Sequence, residues 1–92
     1  MTQNNNIIDM NSLSKLRWRA RRGMLENDIV LTKFFNKYAQ TLTTNQADSL
    51  EQLLDLSDND LLDLILRRTN AKPEWQGNND ILDVLHKLQE VY

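Results

Sequence analysis

The chain contains no cysteine, one histidine, one proline and two glycines in 92 residues. Without cysteine there can be no disulfide, no thiolate metal site and no thiol nucleophile. A single histidine excludes multi-histidine metal sites. Two glycines are too few for a phosphate-cradling glycine-rich loop. No uncharged run approaches the ~20 apolar residues that a membrane-spanning helix needs. The opening MTQNNNIIDM has neither a basic leader nor a long apolar stretch, so no secretory signal is expected there. It also lacks arginine, which argues against a mitochondrial presequence. β-Branched residues are scarce as well: Ile and Val together occur 8 times, against 16 leucines. Sheets favour β-branched residues and frequent turns. The expectation is an all-α, compact single domain of five helices.

The remaining composition is that of a soluble globular protein: 40% hydrophobic and 26% charged. The net charge of −2 conceals an asymmetry. Residues 1–22 carry five basic side chains and one acid; residues 23–66 carry two basic and eight acidic; residues 67–92 carry four of each. A basic N-terminal segment therefore precedes an acidic middle.

Residues 1–11 are Asn-rich and aperiodic, and read as a flexible tail before a helical domain over 12–92. The first helix is expected over 12–22, capped by Ser12, with Leu13, Leu16 and Ala20 as its stripe. Gly23 stands where a C-cap glycine would stand. The second helix is expected over 24–41. Leu31, Phe35, Tyr38 and Leu42 face the core, with Phe34 and Val30 widening that face; Glu26, Lys33 and Lys37 lie on the wet side. Asp28 falls inside the apolar arc and calls for an arginine or a free backbone N–H as partner. A third helix over 44–55 has the capping-box pair Thr43 and Gln46. Its stripe is Ala47, Leu50, Leu53 and Leu54. Ser57 caps a fourth helix over 58–68, whose core face is Leu61, Leu62, Ile65 and Leu66. Pro73 and Gly77 mark a loop. A fifth helix over 79–91, capped by Asn78 or Asn79, carries Ile81, Leu85, Leu88 and Tyr92 on one side.

The chemistry-bearing candidates are few. The acids Asp48, Glu51, Asp55, Asp58, Asp60 and Asp63 lack the loop spacing of a calcium site and read as a solvated face. His86 has no nucleophile or carboxylate constellation beside it. The basic run Lys15, Arg17, Arg19, Arg21 and Arg22, with Trp18 between its two faces, has three readings. It is a solvated face with Trp18 folded onto the core, a protein-docking surface with an aromatic hot spot, or a nucleic-acid contact. Gly23 either ends a helix or lets a partner's backbone approach closely. Glu26 is either a dipole-favoured carboxylate or a recognition charge.

The run WRARRGMLEND at 18–28 resembles the signature of the SdhE-type FAD assembly factors, the flavinators of succinate dehydrogenase. Their hallmark R-G-x-x-E is matched by Arg22, Gly23 and Glu26. The likeness extends over 12–90, through Phe34 and Phe35, the acidic and Leu-rich stretch 55–66, and Pro73. Asn27 departs from it, standing where Leu is common, and Trp75 has no counterpart role. The resemblance implies a five-helix bundle that is not an enzyme. It implies a cytoplasmic chaperone that binds the flavoprotein subunit of succinate dehydrogenase, or of fumarate reductase, and promotes covalent FAD attachment. FAD is then carried by the client and no cofactor or metal is held by this chain. The partner-binding residues would be Trp18, Arg21, Arg22, Gly23 and Glu26, with Asp28 supporting the turn, on a chain that is a monomer when free. Family members have also been described as antitoxins. That role, or a small helical nucleic-acid-binding protein using the basic first helix, is the alternative.

Overall fold

A computed structural model describes residues 6–21 and 23–92. It contains five α-helices: α1 Met10–Arg19, α2 Leu25–Tyr38, α3 Thr44–Leu54, α4 Asp58–Ile65 and α5 Asn79–Val91. No strand occurs among the described residues. A short 3-10 turn, Pro73–Trp75, sits between α4 and α5.

Most helix starts are set by the local signals. Thr43 and Gln46 form the full capping box of α3. Ser57 accepts from the Asp60 N–H at the start of α4, and Asn78 accepts from the Ile81 N–H at the start of α5. The first helix differs from expectation. Asp9, not Ser12, is its N-cap, accepting from the Ser12 N–H at 2.7 Å, so α1 begins two residues earlier. Residues 1–5 of the expected tail lie outside the described residues. The following stretch is held: the Ile8 N–H donates to the Leu42 carbonyl at 2.9 Å and the Thr44 N–H to that of Asn6 at 2.8 Å. This antiparallel bridge ties the entry of α1 to the entry of α3.

The core is one cluster drawn from every helix, centred on Phe34, Leu50, Leu53, Leu61, Ile81 and Leu88, all fully buried. Helix α5 packs most extensively on α3, then on α2 and α4. Phe34 meets Phe35 edge-on and Tyr38 at a tilt, both with ring centroids 5.5 Å apart. Stripe assignments shift in the last two helices. Leu64 and Val84 are buried, while Leu62 and Leu66 are only half-buried. Tyr92 is exposed, beyond the last turn of α5. Trp75 is a core residue, delivered by the 3-10 turn, with the Lys72 ammonium 5.2 Å above its ring.

Two left-handed residues punctuate the second half. Gly77 has φ 86° and leads into the Asn78 cap. Arg67 has φ 62° and ends α4: the Arg68 N–H reaches back to the Asp63 carbonyl at 2.8 Å and the Arg67 N–H to that of Leu64 at 3.1 Å. Glycine is the usual residue at such a helix end. An L-residue there costs roughly 1–2 kcal/mol.

A polar network joins α2 to α5. The Tyr38 hydroxyl donates to Glu90, the Lys37 ammonium lies 3.4 Å from the same carboxylate, and the Lys87 ammonium sits 4.9 Å above the Tyr38 ring. The Tyr38 hydrogen bond and the Lys37 charge hold Glu90 below the usual carboxylate range. Glu90 in turn raises Lys37 by its charge and Tyr38 by accepting the hydrogen bond of its hydroxyl. Asp9 is lowered by the Ser12 N–H and hydroxyl. For the two lowered carboxylates, stability is present above their ordinary range and lost as pH falls through the folded-state values. For the two raised groups it is present below their ordinary range and lost as pH rises through the raised values. The melting temperature should therefore be flat through neutrality, falling below about pH 4 and above about pH 10. Glu90→Gln should flatten the alkaline fall and leave the Asp9 share of the acid fall. An unchanged alkaline fall in Glu90→Gln, read by melting curves across pH, would show that the network carries no linkage.

Candidate functional site

The basic run ends up divided among different tasks. Arg19 bonds to Asp55, with Glu51 3.6 Å away. The acidic end of α3 thus neutralises part of the N-terminal charge, which withdraws Arg19 from any phosphate. The Arg17 guanidinium lies 5.2 Å above the Phe35 ring, and that of Arg21 lies 5.5 Å from the Trp18 ring centroid. Trp18 itself is 73% exposed. It is not folded onto the core, because Leu16 and Ala20 take the inward positions of that turn.

The chain then turns. Helix α1 ends at Arg19 with Ala20 as its C-cap, not at residue 22. Arg22 lies outside the described residues. Gly23 is exposed and lies three residues past Ala20, the C-cap of α1, so it is not that helix's capping glycine. A Cβ built on Gly23 would meet only an Asp58 carboxylate oxygen, at 4.0 Å, which is ordinary contact. The space around position 23 therefore does not demand glycine. What the missing side chain leaves is open approach from outside.

Helix α2 begins without a side-chain cap on Met24. Glu26 is exposed in its first turn, and the turn is held from beneath by Asn27. That side chain is fully buried, and its amide nitrogen donates 2.8 Å to the carbonyl of Asp58, the first residue of α4. Its carbonyl oxygen is buried without a partner. The hydrogen bond explains how Asn can stand where an apolar residue would be expected: it pins the start of α2 to the start of α4.

Asp28 is half-buried and lines a groove of about 270 Å³ with Arg17, Ala20, Arg21, Leu31 and Phe35. The arginine or backbone partner expected for it is not there. Among the described residues its carboxylate forms no hydrogen bond or ion pair, because Arg17 and Arg21 lie against aromatic rings. Partial exposure lets water satisfy it instead.

Two residues escaped the sequence reading. Leu25 is 67% exposed and Ile29 46% exposed. They stand at i and i+4, so they share the outer face of α2 next to Glu26. An apolar pair at helical spacing on the wet side was the available signal. With Trp18, they place three of the six large exposed apolar side chains of the described residues within residues 18–29. No group of three potential metal ligands occurs among the described residues, and none of their helices is long and apolar enough to cross a membrane.

A small helical domain with an exposed aromatic, apolar and charged edge around an unencumbered turn belongs to the class of protein-docking modules. Its particular family is given by comparison with known proteins. Residues 14–90 match the family described as "Flavinator of succinate dehydrogenase". A "FAD assembly factor SdhE" of Ralstonia nicotianae is 46% identical over 80 residues, covering 87% of this chain and 80% of that protein. One of Coxiella burnetii is 36% identical over 77 residues, covering 84% and 88%. No solved structure matches at a significant level. The chain belongs to the flavinators of succinate dehydrogenase, assembly factors for its flavinylation.

Proposed function

We propose that this chain is a non-enzymatic, cytoplasmic chaperone. It docks on the flavoprotein subunit of succinate dehydrogenase through the segment from Trp18 to Ile29 and promotes covalent FAD attachment there. The observation that supports this most is the concentration of exposed Trp18, Leu25 and Ile29 beside Glu26 and Gly23, on a turn that packing does not require to be apolar. Aromatic and arginine anchors ringed by smaller contacts suit an interface. Arg21 and Arg22 supply positive charge, and Asp28 a carboxylate in the adjoining groove. FAD stays with the client and this chain holds none. Docking accelerates attachment by population shift: binding the reactive arrangement of the client better than other arrangements raises its occupancy.

The direct experiment incubates the FAD-free client subunit with FAD, with and without this chain, and reads covalent flavin as in-gel fluorescence. A clear gain with the chain present is expected; equal labelling would refute the reading. Trp18→Ala should weaken client affinity by about 30-fold or more, the scale of an aromatic hot spot. Its melting curve should stay close to that of the parent, since the ring is exposed. Parent-like affinity would remove Trp18 from the interface.

A further inference from the structure

Arg67 is the one described residue other than glycine in the left-handed region. Glycine or asparagine would end α4 there with less strain. The strained position carries a charge that makes no ion pair among the described residues. The Arg67 side chain and His86 together line two adjoining shallow grooves. One extends toward Tyr38, Asp83, Lys87 and Glu90. The other runs over Ala71, Leu82 and Leu85.

The acids of the first groove are already taken. Asp83 is held by Lys87 at 3.0 Å and by Gln46 at 2.9 Å. Glu90 is held by Tyr38 and by Lys37. Neither Arg67 nor His86 makes a side-chain hydrogen bond or ion pair among the described residues. Local pairing thus leaves one guanidinium unmatched at the rim of a partly apolar floor.

We propose that Arg67, flanked by His86, is a second docking contact, which receives a carboxylate side chain of the client protein while Ala71 and Leu82 receive an apolar neighbour of that side chain. A guanidinium grips one carboxylate bidentately. The partner is a protein subunit, whose anionic side chains are carboxylates, and the half-buried Ala71 and Leu82 lie beside the guanidinium in the groove lining. The proposal rests on the docking function above, and it places a contact on the α4–α5 side of the fold, apart in sequence from residues 18–29.

The test measures affinity for the FAD-free client subunit by calorimetry at low and moderate salt, with Arg67→Gly and Arg67→Asn. Both variants relieve the strained φ, so their melting temperatures should equal or exceed the parent's. Their affinity should fall about tenfold, the scale of one charge-assisted contact, and their salt dependence should be shallower. Unchanged affinity in both variants overturns the proposal while leaving the docking function standing. Failure of the parent to bind the client overturns the docking function itself. An independent arm titrates the parent chain by NMR with a short Leu-Glu-Leu peptide and with inorganic phosphate. Shifts at the Arg67 and His86 side chains with the peptide alone support the contact. Shifts with phosphate alone, or with neither, refute it.

Discussion

Glu26→Ala is expected to abolish most of the covalent flavin signal of the client while melting like the parent. Glu26 is exposed, and no neighbouring group of the described residues is bound to its carboxylate. What its loss removes from the fold is its favourable position at the start of α2, worth under about 1 kcal/mol. Gly23→Ala supplies a companion: the nearest described neighbour is 4.0 Å from the added carbon, so the methyl meets no clash and the variant should fold. A bulkier Gly23→Leu should block a partner's approach with little change in melting. The measurement pairs melting curves with in-gel flavin fluorescence of the client. Normal flavinylation in Glu26→Ala and Gly23→Leu together would show that this turn is not the working surface. Lost flavinylation with a collapsed melt would make the two residues structural.

Phe34→Ala is expected to be the most destabilising single change in α2. Phe34 is fully buried, with Phe35 and Tyr38 against its ring. Truncating a buried phenylalanine costs about 3–5 kcal/mol, part transfer and part cavity. A domain of this length has roughly 5–14 kcal/mol in total. The variant should therefore lose from about a fifth to nearly all of its stability and melt well below the parent. Flavinylation should fall only in proportion to the unfolded fraction, so lowering the temperature should restore it. Denaturant unfolding at constant m-value gives the stability change. A loss below about 1 kcal/mol would mean that the neighbouring rings close over the vacancy.

The two experiments separate because the fold and the docking face use different residues of one helix. In α2 the inward positions Val30, Leu31, Phe34 and Phe35 are buried, while Leu25, Glu26 and Ile29 point outward. The inward residues hold α2 against α4 and α5. The outward ones contribute little to that packing and are free to be selected for a partner.

The amino-acid sequence by itself determined the all-α class, the five helices in order, the capping of α3 and α4 by Thr43 and Ser57, and the cap of α5 to within two adjacent asparagines. These are local matters: a cap acts over three residues and an amphipathic stripe over a few turns. The motif at 18–28 was equally legible, because a signature is a linear string. Tertiary structure decided what no local pattern carries. It settled that Arg19 is spent on Glu51 and Asp55, brought from 32 and 36 residues away. It moved the cap of α1 to Asp9, once residues 6–8 had paired with the start of α3. Among the described residues it left Asp28 without an ion pair, since Arg17 and Arg21 lie on aromatic rings. It buried Asn27 through one hydrogen bond to α4, drew Trp75 into the core, and left Leu25 and Ile29 facing outward. Each of these outcomes depends on which distant surface arrives opposite a side chain, and burial, pairing and exposure are set by that arrival.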